Sequence, residues 1–442
     1  MESKRKIFIE THGCQMNFSD SEIVGSILVD DGHELTKDLK EADVILVNTC
    51  SIRDNAEIKV RNRLKQFNVL KRNKPGLLVG LLGCMAERVK ENLFDEEKIL
   101  DLIAGPDAYR DLPQLLRKAE GGQKAINLIL SADETYADIT PVRMDGNGVA
   151  AFISIMRGCE NFCSYCVVPY TRGTERSRPH LTILKEAREL FDKGFRDVTL
   201  LGQNVNSYAW EDAGQKVGFA ELIASIAEIS PMLRVRFATS HPKDISNELI
   251  GVIALHPNIC RSIHLPVQSG SSRMLWEMNR NYTREWYLDR ISAIRKAIPD
   301  CMISTDIISG FCGETEEDHK ETLSLMENVA FDYAYMFKYS ERPNTLAADT
   351  KKDDVPEDVK SRRLQEIINF QGELSLESYK RDIGKTFEVL VEGSSKRSKS
   401  QLSGRNSQNK MIVFPGAGQE PGDYVMVRIV ECTSATLIGE LV

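Results

Sequence analysis

The stretch AFISIMRGCENFCSYC, residues 151–166, carries the pattern on which the architecture depends. Its first six residues have the apolar composition of a buried parallel strand, and the segment that follows holds three closely spaced cysteines. Thiolates spaced as Cys-x3-Cys-x2-Cys can bind one face of an iron–sulfur cube. They leave one iron without a protein ligand, and an open coordination position is what a catalytic metal centre needs. The candidate ligands are Cys159, Cys163 and Cys166.

A structural zinc site is the alternative for these three cysteines. Tetrahedral zinc needs a further protein ligand, and the nearest histidine, His180, lies 14 residues beyond Cys166. The spacing therefore favours an iron–sulfur centre over zinc.

Further apolar runs follow the cysteine loop, and stretches of helical composition separate them. This alternation predicts an incomplete parallel β/α barrel, in which functional residues lie at strand ends on one rim. The candidate strands are AFISIM 151–156, VTLLG 198–202, VRFAT 235–239, SIHLPV 262–267, ISTDII 303–308 and AYMFKY 334–339. Polar residues lie next to four of them, namely Gln203, Ser240, Gln268 and Asp306, and each is a candidate ligand contact. The alternative role for each is to cap a helix or to bind loop amides.

The N-terminal 125 residues show a second β-α alternation, which predicts a small open α/β sheet. In such sheets, ligands gather beyond the carboxyl ends of the strands. Cys14, Cys50 and Cys84 each come just after a predicted strand, so one sheet edge can bring them together. The alternative is that they are ordinary buried thiols.

The C-terminal residues change character. Two apolar runs, 387–393 and 424–432, flank a polar segment and predict a small all-β barrel with a flexible basic loop at 393–410. Lys380–Lys410 contains 8 basic and 3 acidic residues, on a chain whose net charge is −8. A local basic stretch on an acidic chain suggests a dedicated anion contact, and nucleic acid is one candidate.

Composition excludes several classes of protein. Hydrophobic residues make up 42% of the chain and charged residues 28%, as expected of a globular protein and not of a disordered or collagenous one. The first ten residues lack an apolar core, and the most apolar stretch, 76–84, is too short to span a bilayer. We therefore expect a cytoplasmic protein without a membrane partner, whose ten cysteines are not disulfides.

The cysteine loop resembles that of the radical S-adenosylmethionine superfamily, in which an aromatic residue, here Tyr165, precedes the last cysteine. The resemblance implies that the cofactor's methionine part binds the open iron of a 4Fe–4S cluster. An electron from the cluster then cleaves the cofactor to a 5′-deoxyadenosyl radical, which removes hydrogen from an unactivated carbon. It also implies cofactor contacts for Tyr165, Gln203, Ser240, Gln268 and Asp306.

The resemblance extends over the whole chain to the methylthiotransferases, and within them to the MiaB branch. It rests on THGCQMN 11–17, NTCSIRDNAEIK 48–59, GCMAER 83–88, VVPYTRGTERSRP 167–179, HLPVQSGSSRML 264–275 and NRNYTREWY 279–287. The chain departs from the family pattern at Cys312, where the family usually has proline. The C-terminal piece resembles a TRAM domain, a small barrel associated with RNA modification.

The MiaB branch adds a methylthio group to carbon 2 of N6-isopentenyladenosine beside the tRNA anticodon, and the resemblance implies that activity here. It implies a second 4Fe–4S cluster on Cys14, Cys50 and Cys84, and two S-adenosylmethionine molecules per turnover. No side chain is predicted to act as a catalytic acid or base. The implied partners are a tRNA anticodon stem-loop carrying isopentenyladenosine and a low-potential electron donor such as flavodoxin or ferredoxin, and we expect a monomer.

Basic residues in two segments are candidate RNA contacts, because arginine and lysine bind phosphate. The first segment follows the cysteine loop and the second lies in the C-terminal basic stretch; solvated surface charge is the alternative for both. The residues are Arg172, Arg176, Arg178, Lys396, Arg397, Lys399 and Arg405.

We therefore expect an α/β protein of three domains. Residues 1–125 form the N-terminal domain with the auxiliary cluster, 126–144 a linker, 145–378 the radical core and 379–442 the TRAM domain. The rival functions are methylthiolation of threonylcarbamoyl-adenosine in tRNA, methylthiolation of a ribosomal-protein aspartate, and a non-catalytic iron–sulfur redox sensor that binds RNA.

Overall fold

The structure is a computed structural model that describes residues 4–50, 54–90, 92–144, 147–212, 214–396 and 398–442. The chain divides into two compact units. The first comprises Met1–Asp145, Met156–Glu160 and Cys166–Thr182, and the second comprises Gly146–Ile155, Asn161–Tyr165 and Ile183–Val442. In this division Cys159 and Cys166 belong to the first unit and Cys163 to the second.

The first unit is built on a six-stranded parallel sheet with the order β2-β1-β3-β4-β5-β6. Its elements up to residue 127 are β1 Lys6–His12, α1 Gln15–Asp30, β2 Glu34–Leu35, β3 Val44–Thr49, α2 Asp54–Asn73, β4 Leu78–Gly83, α3 Cys84–Val89, α4 Asn92–Glu96, β5 Leu102–Ala104, α5 Leu112–Glu120 and β6 Ala125–Asn127.

The central strands β3, β4 and β5 are buried on both faces of the sheet, which is why they are apolar runs. Along β3, Val44 and Leu46 face one core, which includes residues of α1 and α5. Ile45 and Val47 face the other core, which includes residues of α2. Every residue of β3 and β4 is buried. The carboxyl ends of these strands are thus held in fixed positions by packing on two sides.

The second unit begins with the predicted barrel strands. They form two three-stranded parallel sheets, β7-β10-β13 and β14-β15-β16, and isolated bridges join Val235 to Ile259 and Gln268 to Ile307. The elements from 150 to 380, including those of the cysteine loop, are β7 Ala150–Ser154, β8 Met156–Arg157, α6 Val168–Arg172, β9 Arg176–Ser177, α7 His180–Asp192, β10 Asp197–Leu201, β11 Ala209–Asp212, β12 Gln215–Gly218, α8 Phe219–Ala227, β13 Arg234–Ala238, α9 Asn247–Leu255, β14 Ser262–His264, α10 Ser272–Glu277, α11 Arg284–Ala297, β15 Met302–Ser309, α12 Glu316–Val329, β16 Tyr333–Lys338, α13 Leu346–Thr350 and α14 Glu357–Lys380.

The C-terminal part of the second unit is a closed barrel with the strand order β17-β18-β19-β21-β20. Alternate residues of its strands, such as Val389 and Val391 in β17, fill the interior together with Phe414. The strands are β17 Thr386–Ser395, β18 Ser398–Arg405, β19 Met411–Pro415, β20 Tyr424–Cys432 and β21 Leu437–Leu441. The prediction of an α/β chain with an open sheet, a partial β/α barrel and a small all-β barrel is confirmed.

Some details differ from the sequence-based expectation. The basic segment 393–410, predicted as a flexible loop, contains strand β18, which pairs with β17 and β19 through ladder hydrogen bonds. After β4 the chain forms two short helices, α3 and α4, with Lys90 at a φ of 59° between them. Within the predicted linker 126–144, Tyr136 is buried and donates to the Pro106 carbonyl oxygen at 3.0 Å. The proposed domain boundaries stay predictions.

Among the described helices, none combines the length and the apolar character needed to cross a membrane.

Candidate metal centres and cofactor site

The first candidate centre lies at the carboxyl ends of three neighbouring strands of the first unit. In the parallel register His12 of β1 pairs with Thr49 of β3, which pairs with Gly83 of β4. Cys50 and Cys84 come one residue after their strands, and Cys14 comes two residues after β1, at the N-cap of α1. The three thiols predicted to share a sheet edge are therefore placed on adjacent strands of that edge.

Two glycines make this arrangement possible. Gly13 has a φ of 137°, and a Cβ there would lie 2.6 Å from the Cβ of Cys50. Gly83 has a φ of 88°, and a Cβ there would lie 2.4 Å from Asn48 Oδ1. Both positions demand a backbone conformation that side-chain-bearing residues rarely adopt, and both lack room for a methyl group. The glycines let Cys14 and Cys84 approach the ends of the strands.

The thiols at this edge contact one another and a buried arginine. Cys14 Sγ donates to Asn17 Oδ1 at 3.1 Å, and the Nε of Arg172 donates to Cys84 Sγ at 3.2 Å. A hydrogen bond from Cys50 lowers the pKa of Cys14 to about 6, assisted by the charge of Arg172 and opposed by burial. Burial raises the pKa of Cys84, although the Arg172 charge opposes it. The three thiols therefore share one hydrogen-bonded environment with Arg172 and Asn17.

Two buried asparagines, Asn17 and Asn48, support the same edge. Asn17 Nδ2 donates to Asn48 Oδ1 at 3.1 Å, and Asn48 Nδ2 donates to the Asn17 carbonyl oxygen at 2.9 Å and to Ser21 Oγ at 3.0 Å. Both lie in the motifs that carry the resemblance, but sequence reasoning did not single them out. Their position next to Cys14 and Cys50 in the chain was the available signal.

The arginine that contacts Cys84 belongs to a buried ionic network in the first unit. Asp20 accepts from Arg157 Nη1 and Arg172 Nη2, each at 2.8 Å. Asp107 lies 3.0 Å from Arg176 Nη1 and 3.5 Å from Arg157 Nε. Burial opposes ionisation of Asp20, but the two guanidinium groups outweigh it and hold the pKa of that carboxyl below its usual range. Asp20 is therefore ionised beside the two arginines.

This arrangement corrects the expectation that Arg172, Arg176 and Arg178 contact RNA. These three arginines are only 3%, 6% and 6% exposed to solvent, respectively. Arg172 and Arg176 bind Asp20 and Asp107, and Arg178 donates to Thr182 Oγ1 at 3.0 Å. Guanidinium groups that are buried and paired in this way are not accessible to an RNA phosphate. The sequence showed the cluster of arginines but not the two distant aspartates that neutralise them.

The second candidate centre is the loop that follows β7 and β8. The Cys159 N–H donates to the Gly173 carbonyl oxygen at 3.1 Å, and Gly158, with a φ of 80°, leaves no room for a Cβ against Thr174. In the second unit, Cys163 Sγ accepts from Arg280 Nη1 at 3.3 Å. Ser164 binds the backbone of Glu277 and Met278, which precede Arg280 in the chain.

Arg280 is a functional candidate that sequence reasoning missed, although it lies in the quoted motif NRNYTREWY. It is 5% exposed and donates to the Pro266 carbonyl oxygen at 2.8 Å and to the Tyr282 hydroxyl at 3.1 Å. Burial opposes its charge, yet Tyr282, Tyr165 and Cys163 raise its pKa well above the usual value. A permanent cation therefore lies next to the Cys163 thiol.

The predicted cofactor residues lie in the second unit near the strand ends. In the described part of the chain, Gln203 Oε1 after β10 and Ser240 Oγ after β13 are buried without a hydrogen-bond partner. Gln268 is buried at a φ of 70°, and its N–H donates to the Asp306 carbonyl oxygen at 2.8 Å. Tyr165 packs edge-on against Phe311. Asp306 is half-buried within β15, where its Oδ1 lies 3.4 Å from His264 Nε2.

His241 adds a further polar group to this rim. Its Nδ1 accepts from the Lys243 N–H at 3.3 Å, while Nε2 is buried without a partner in the described part of the chain. Burial, then the charges of Arg280 and Lys243, lower the pKa of His241, so the ring is neutral and Nε2 carries the proton. Leaving buried polar atoms unpaired is costly, so their concentration at one rim fits a polar ligand such as S-adenosylmethionine.

The donor chemistry fits two iron–sulfur clusters. Each candidate set consists of three thiols, which are the ligands such clusters require, and each has a buried arginine beside one thiol. Among the described residues, no three His, Cys, Asp or Glu side chains lie close enough together to hold a metal ion as they stand. The ligand sets are therefore argued from placement and thiol chemistry.

Among the C-terminal basic residues, Lys396 is exposed. Arg405 is paired, since its Nε lies 3.2 Å from Glu392 Oε1 and its Nη1 donates to the Asn409 carbonyl oxygen at 3.1 Å. Arg397 and the side chain of Lys399 lie outside the described residues.

Family models match three parts of the chain. The uncharacterized protein family UPF0004 matches residues 6–105, the radical SAM superfamily matches 153–326 and the TRAM domain matches 380–442. Among solved structures, the radical S-adenosylmethionine methyltransferase TsrM from Kitasatospora setae is similar, with a TM-score of 0.59 at 14% identity over 78% of this chain and 75% of that one. The cobalamin-dependent radical enzyme OxsB gives 0.52 at 13% identity over 84% and 56%. These likenesses concern the fold.

Curated relatives are far closer in sequence. The tRNA-2-methylthio-N(6)-dimethylallyladenosine synthase of Phocaeicola vulgatus is 59% identical over 99% of this chain and 96% of its own length. The synthases of Amoebophilus asiaticus and Chloroherpeton thalassium are 57% and 58% identical over 99% of this chain and 92% and 96% of their lengths. The chain therefore belongs to the tRNA-2-methylthio-N(6)-dimethylallyladenosine synthase family of radical SAM enzymes.

Proposed function

We propose that this chain adds a methylthio group to carbon 2 of N6-isopentenyladenosine next to the anticodon in tRNA. The observation that carries the proposal is the identity of 57–59% with synthases of that name over nearly the whole chain. The two sets of three cysteines and the unpaired polar rim are the chemistry such a reaction needs. The enzyme is a transferase.

The substrate explains why a radical is required. The hydrogen at carbon 2 is bonded to an aromatic carbon, and no side-chain base can remove so weakly acidic a proton. Cys159, Cys163 and Cys166 would hold a 4Fe–4S cluster, and that cluster would supply the electron for cleavage of S-adenosylmethionine. Arg280 holds Cys163 in place, and Gln203, Ser240 and His241 offer hydrogen bonds to the cofactor.

The sulfur is proposed to come from the other centre. Cys14, Cys50 and Cys84 would hold an auxiliary 4Fe–4S cluster through three thiolates, and that cluster would supply the sulfur. Two S-adenosylmethionine molecules are used per turnover, one for the methyl group and one for the radical.

The partners follow from the reaction. The anticodon loop is single-stranded, so its base can be splayed out and stacked in a pocket. The TRAM barrel, through Lys396, Arg397, Lys399 and Arg405, is proposed to bind the tRNA backbone. A low-potential donor such as flavodoxin or ferredoxin supplies electrons to a monomeric enzyme in the cytoplasm.

Mass spectrometry of nucleosides tests the proposal. Anaerobically reconstituted protein is incubated with S-adenosylmethionine, dithionite and tRNA that carries isopentenyladenosine. We expect the modified adenosine to gain one methylthio group, and we expect no gain on matched tRNA that carries unmodified or threonylcarbamoylated adenosine. The absence of any gain on isopentenylated tRNA would contradict the proposal.

A further inference from the structure

Arg172 connects the two candidate centres through the chain. It lies six residues after Cys166, at the end of α6, and its Nε contacts Cys84 Sγ of the other cysteine set at 3.2 Å. The residue is 3% exposed. Its Nη2 binds Asp20, and in the described part of the chain its Nη1 is buried without a hydrogen-bond partner. One donor of a buried cation next to Cys84 is therefore left unused.

The charges of the surrounding network do not cancel. Arg157, Arg172 and Arg176 bring three positive charges into the interior of the first unit, and Asp20 and Asp107 bring two negative ones. The nearby buried carboxyl of Glu87, whose pKa burial raises to about 7, adds only part of a third negative charge. An uncompensated buried charge is costly, so a native site that contains one has an anionic partner. The groups that interact electrostatically with Arg172 include Cys84 and Cys14. A cluster held by three thiolates is such an anion.

We propose that Arg172 is a positioning residue that sets the reduction potential of the auxiliary cluster; this inference rests on the cluster assigned to Cys14, Cys50 and Cys84 in the proposed function. Each reduction adds one electron and makes the cluster more negative by one charge. A fixed cation next to the ligands stabilises the reduced form of the cluster. The low dielectric of the interior strengthens this attraction between the cation and the cluster. Loss of the Arg172 charge makes reduction harder, whereas loss of the Asp20 charge makes it easier.

The test measures the auxiliary cluster alone. In the full-length chain, replacing Cys159, Cys163 and Cys166 by alanine removes the other cluster, and the protein is then reconstituted with iron and sulfide. The midpoint potential is followed by electron paramagnetic resonance during titration with dithionite. We expect Arg172→Gln to shift the midpoint to a more negative potential and Arg172→Lys, which keeps the charge, to shift it less.

The decisive variant is Asp20→Asn, which we expect to shift the midpoint in the opposite direction. Structural damage alone does not predict opposite signs for the two variants. Arg178→Gln is the matched control, since Arg178 is also buried, lies in the same segment and donates to Thr182, and its midpoint is expected to equal the parent's. If Arg172→Gln retains no cluster, Arg172→Lys and Asp20→Asn still give the sign.

Equal midpoints for parent and Arg172→Gln, or shifts of the same sign for Arg172→Gln and Asp20→Asn, would overturn the inference while leaving the proposed function intact. A triple-alanine parent that binds no iron would instead remove the auxiliary cluster, and with it both the ligand assignment and this inference.

Discussion

Arg280 Nη1 donates to Cys163 Sγ over 3.3 Å, although 117 positions separate the two residues in the chain. The same guanidinium is fixed by the Pro266 carbonyl oxygen and by the Tyr282 hydroxyl. A cation held so rigidly keeps the Cys163 side chain in one orientation. The contact links the motif NRNYTREWY to the cysteine loop.

Replacing Arg280 should therefore slow reductive cleavage of S-adenosylmethionine. A charge-assisted hydrogen bond is worth about 1.5–3 kcal/mol, so Arg280→Met should lower the rate by roughly tenfold to hundredfold. Arg280→Lys keeps the positive charge but loses the planar guanidinium with its paired N–H donors, so its rate should lie between those of the parent and Arg280→Met. The yield of 5′-deoxyadenosine without tRNA measures this rate. Arg261→Gln, at an exposed pair with Asp300, is the control, and an unchanged rate in Arg280→Met would refute the prediction.

The two cysteine sets predict the iron content. Reconstituted protein should bind about eight irons as two cubes. The variant with alanine at Cys159, Cys163 and Cys166 should keep about half of them. Iron analysis and visible absorption measure both quantities. Stoichiometric zinc without visible absorption would exclude the cluster assignment.

The two centres should fail in different ways. Alanine at Cys159, Cys163 and Cys166 should abolish cofactor cleavage, because the open iron is lost. Alanine at Cys14, Cys50 and Cys84 should leave 5′-deoxyadenosine formation intact but prevent methylthiolation. Both products are measured in one reaction by liquid chromatography. Methylthiolated nucleoside formed by the second variant with added sulfide would show that the auxiliary cluster is not the sulfur donor.

The C-terminal barrel should bind phosphates of the tRNA. Changing Lys396, Arg397, Lys399 and Arg405 to glutamine should weaken tRNA binding. The slope of log affinity against log salt should shrink by about 0.7 to 0.9 for each phosphate that the variant no longer neutralises. Arg405 should contribute least, because it is already paired with Glu392.

Cofactor cleavage without tRNA should not change in this quadruple variant. Lys185→Gln, an exposed lysine on α7, serves as the control for a simple change in net charge. Since Arg172, Arg176 and Arg178 are buried, an unchanged salt slope would move tRNA recognition away from both predicted arginine segments.

Glu87 should make the stability of the first unit depend on pH. The residue is 2% exposed, and in the described part of the chain its Oε2 has no hydrogen-bond partner. Burial, assisted by Asp107 and opposed by Lys90, raises its pKa from 4.5 to about 7. A raised pKa in the folded state means that the folded protein binds more protons than the unfolded chain between these values. Stability is therefore lost as pH rises through about 7.

Glu87→Gln should remove this loss. The shift corresponds to at most about 3 kcal/mol, so the variant should be more stable than the parent at pH 8 by up to that amount and equal to it near pH 4. Urea unfolding of the apoprotein at both pH values measures the difference, with Glu34→Gln at an exposed salt bridge as the control. Equal stabilities at pH 8 would mean that Glu87 titrates normally.

The repeating elements could be predicted from sequence, because apolar runs such as VILVN at 44–48 are buried on both faces and have one physical explanation. The edge that carries Cys14, Cys50 and Cys84 followed from the same strands, since residues after parallel strands share one side of a sheet. The local sequence pattern was sufficient to predict the position of a residue wherever that position depends only on the strand that precedes it.

Pairings between distant residues could not be predicted in this way. The arginines at 172 and 176 have the appearance of a surface patch until Asp20 and Asp107 are brought beside them. Arg280 and His241 gave no signal of their own, because their roles arise from the loops they contact. The segment 393–410 was misjudged for the opposite reason, since its polar composition hid a strand whose stability comes from its neighbours in the barrel.

The ionic network also limits how the chain can be divided. Asp20 and Asp107 lie in the N-terminal 125 residues, but their counter-ions, Arg157, Arg172 and Arg176, are encoded later, beyond the first strand of the barrel. A fragment cut after residue 125 would lack all three arginines that bind these two carboxylates. During synthesis, too, Asp20 and Asp107 gain their three arginine partners only after residue 176 has been made. The N-terminal domain is thus continuous in sequence, but its stability depends on residues of the cysteine loop. Excising this domain, or exchanging it for that of a relative, would therefore require the cysteine loop to be moved with it.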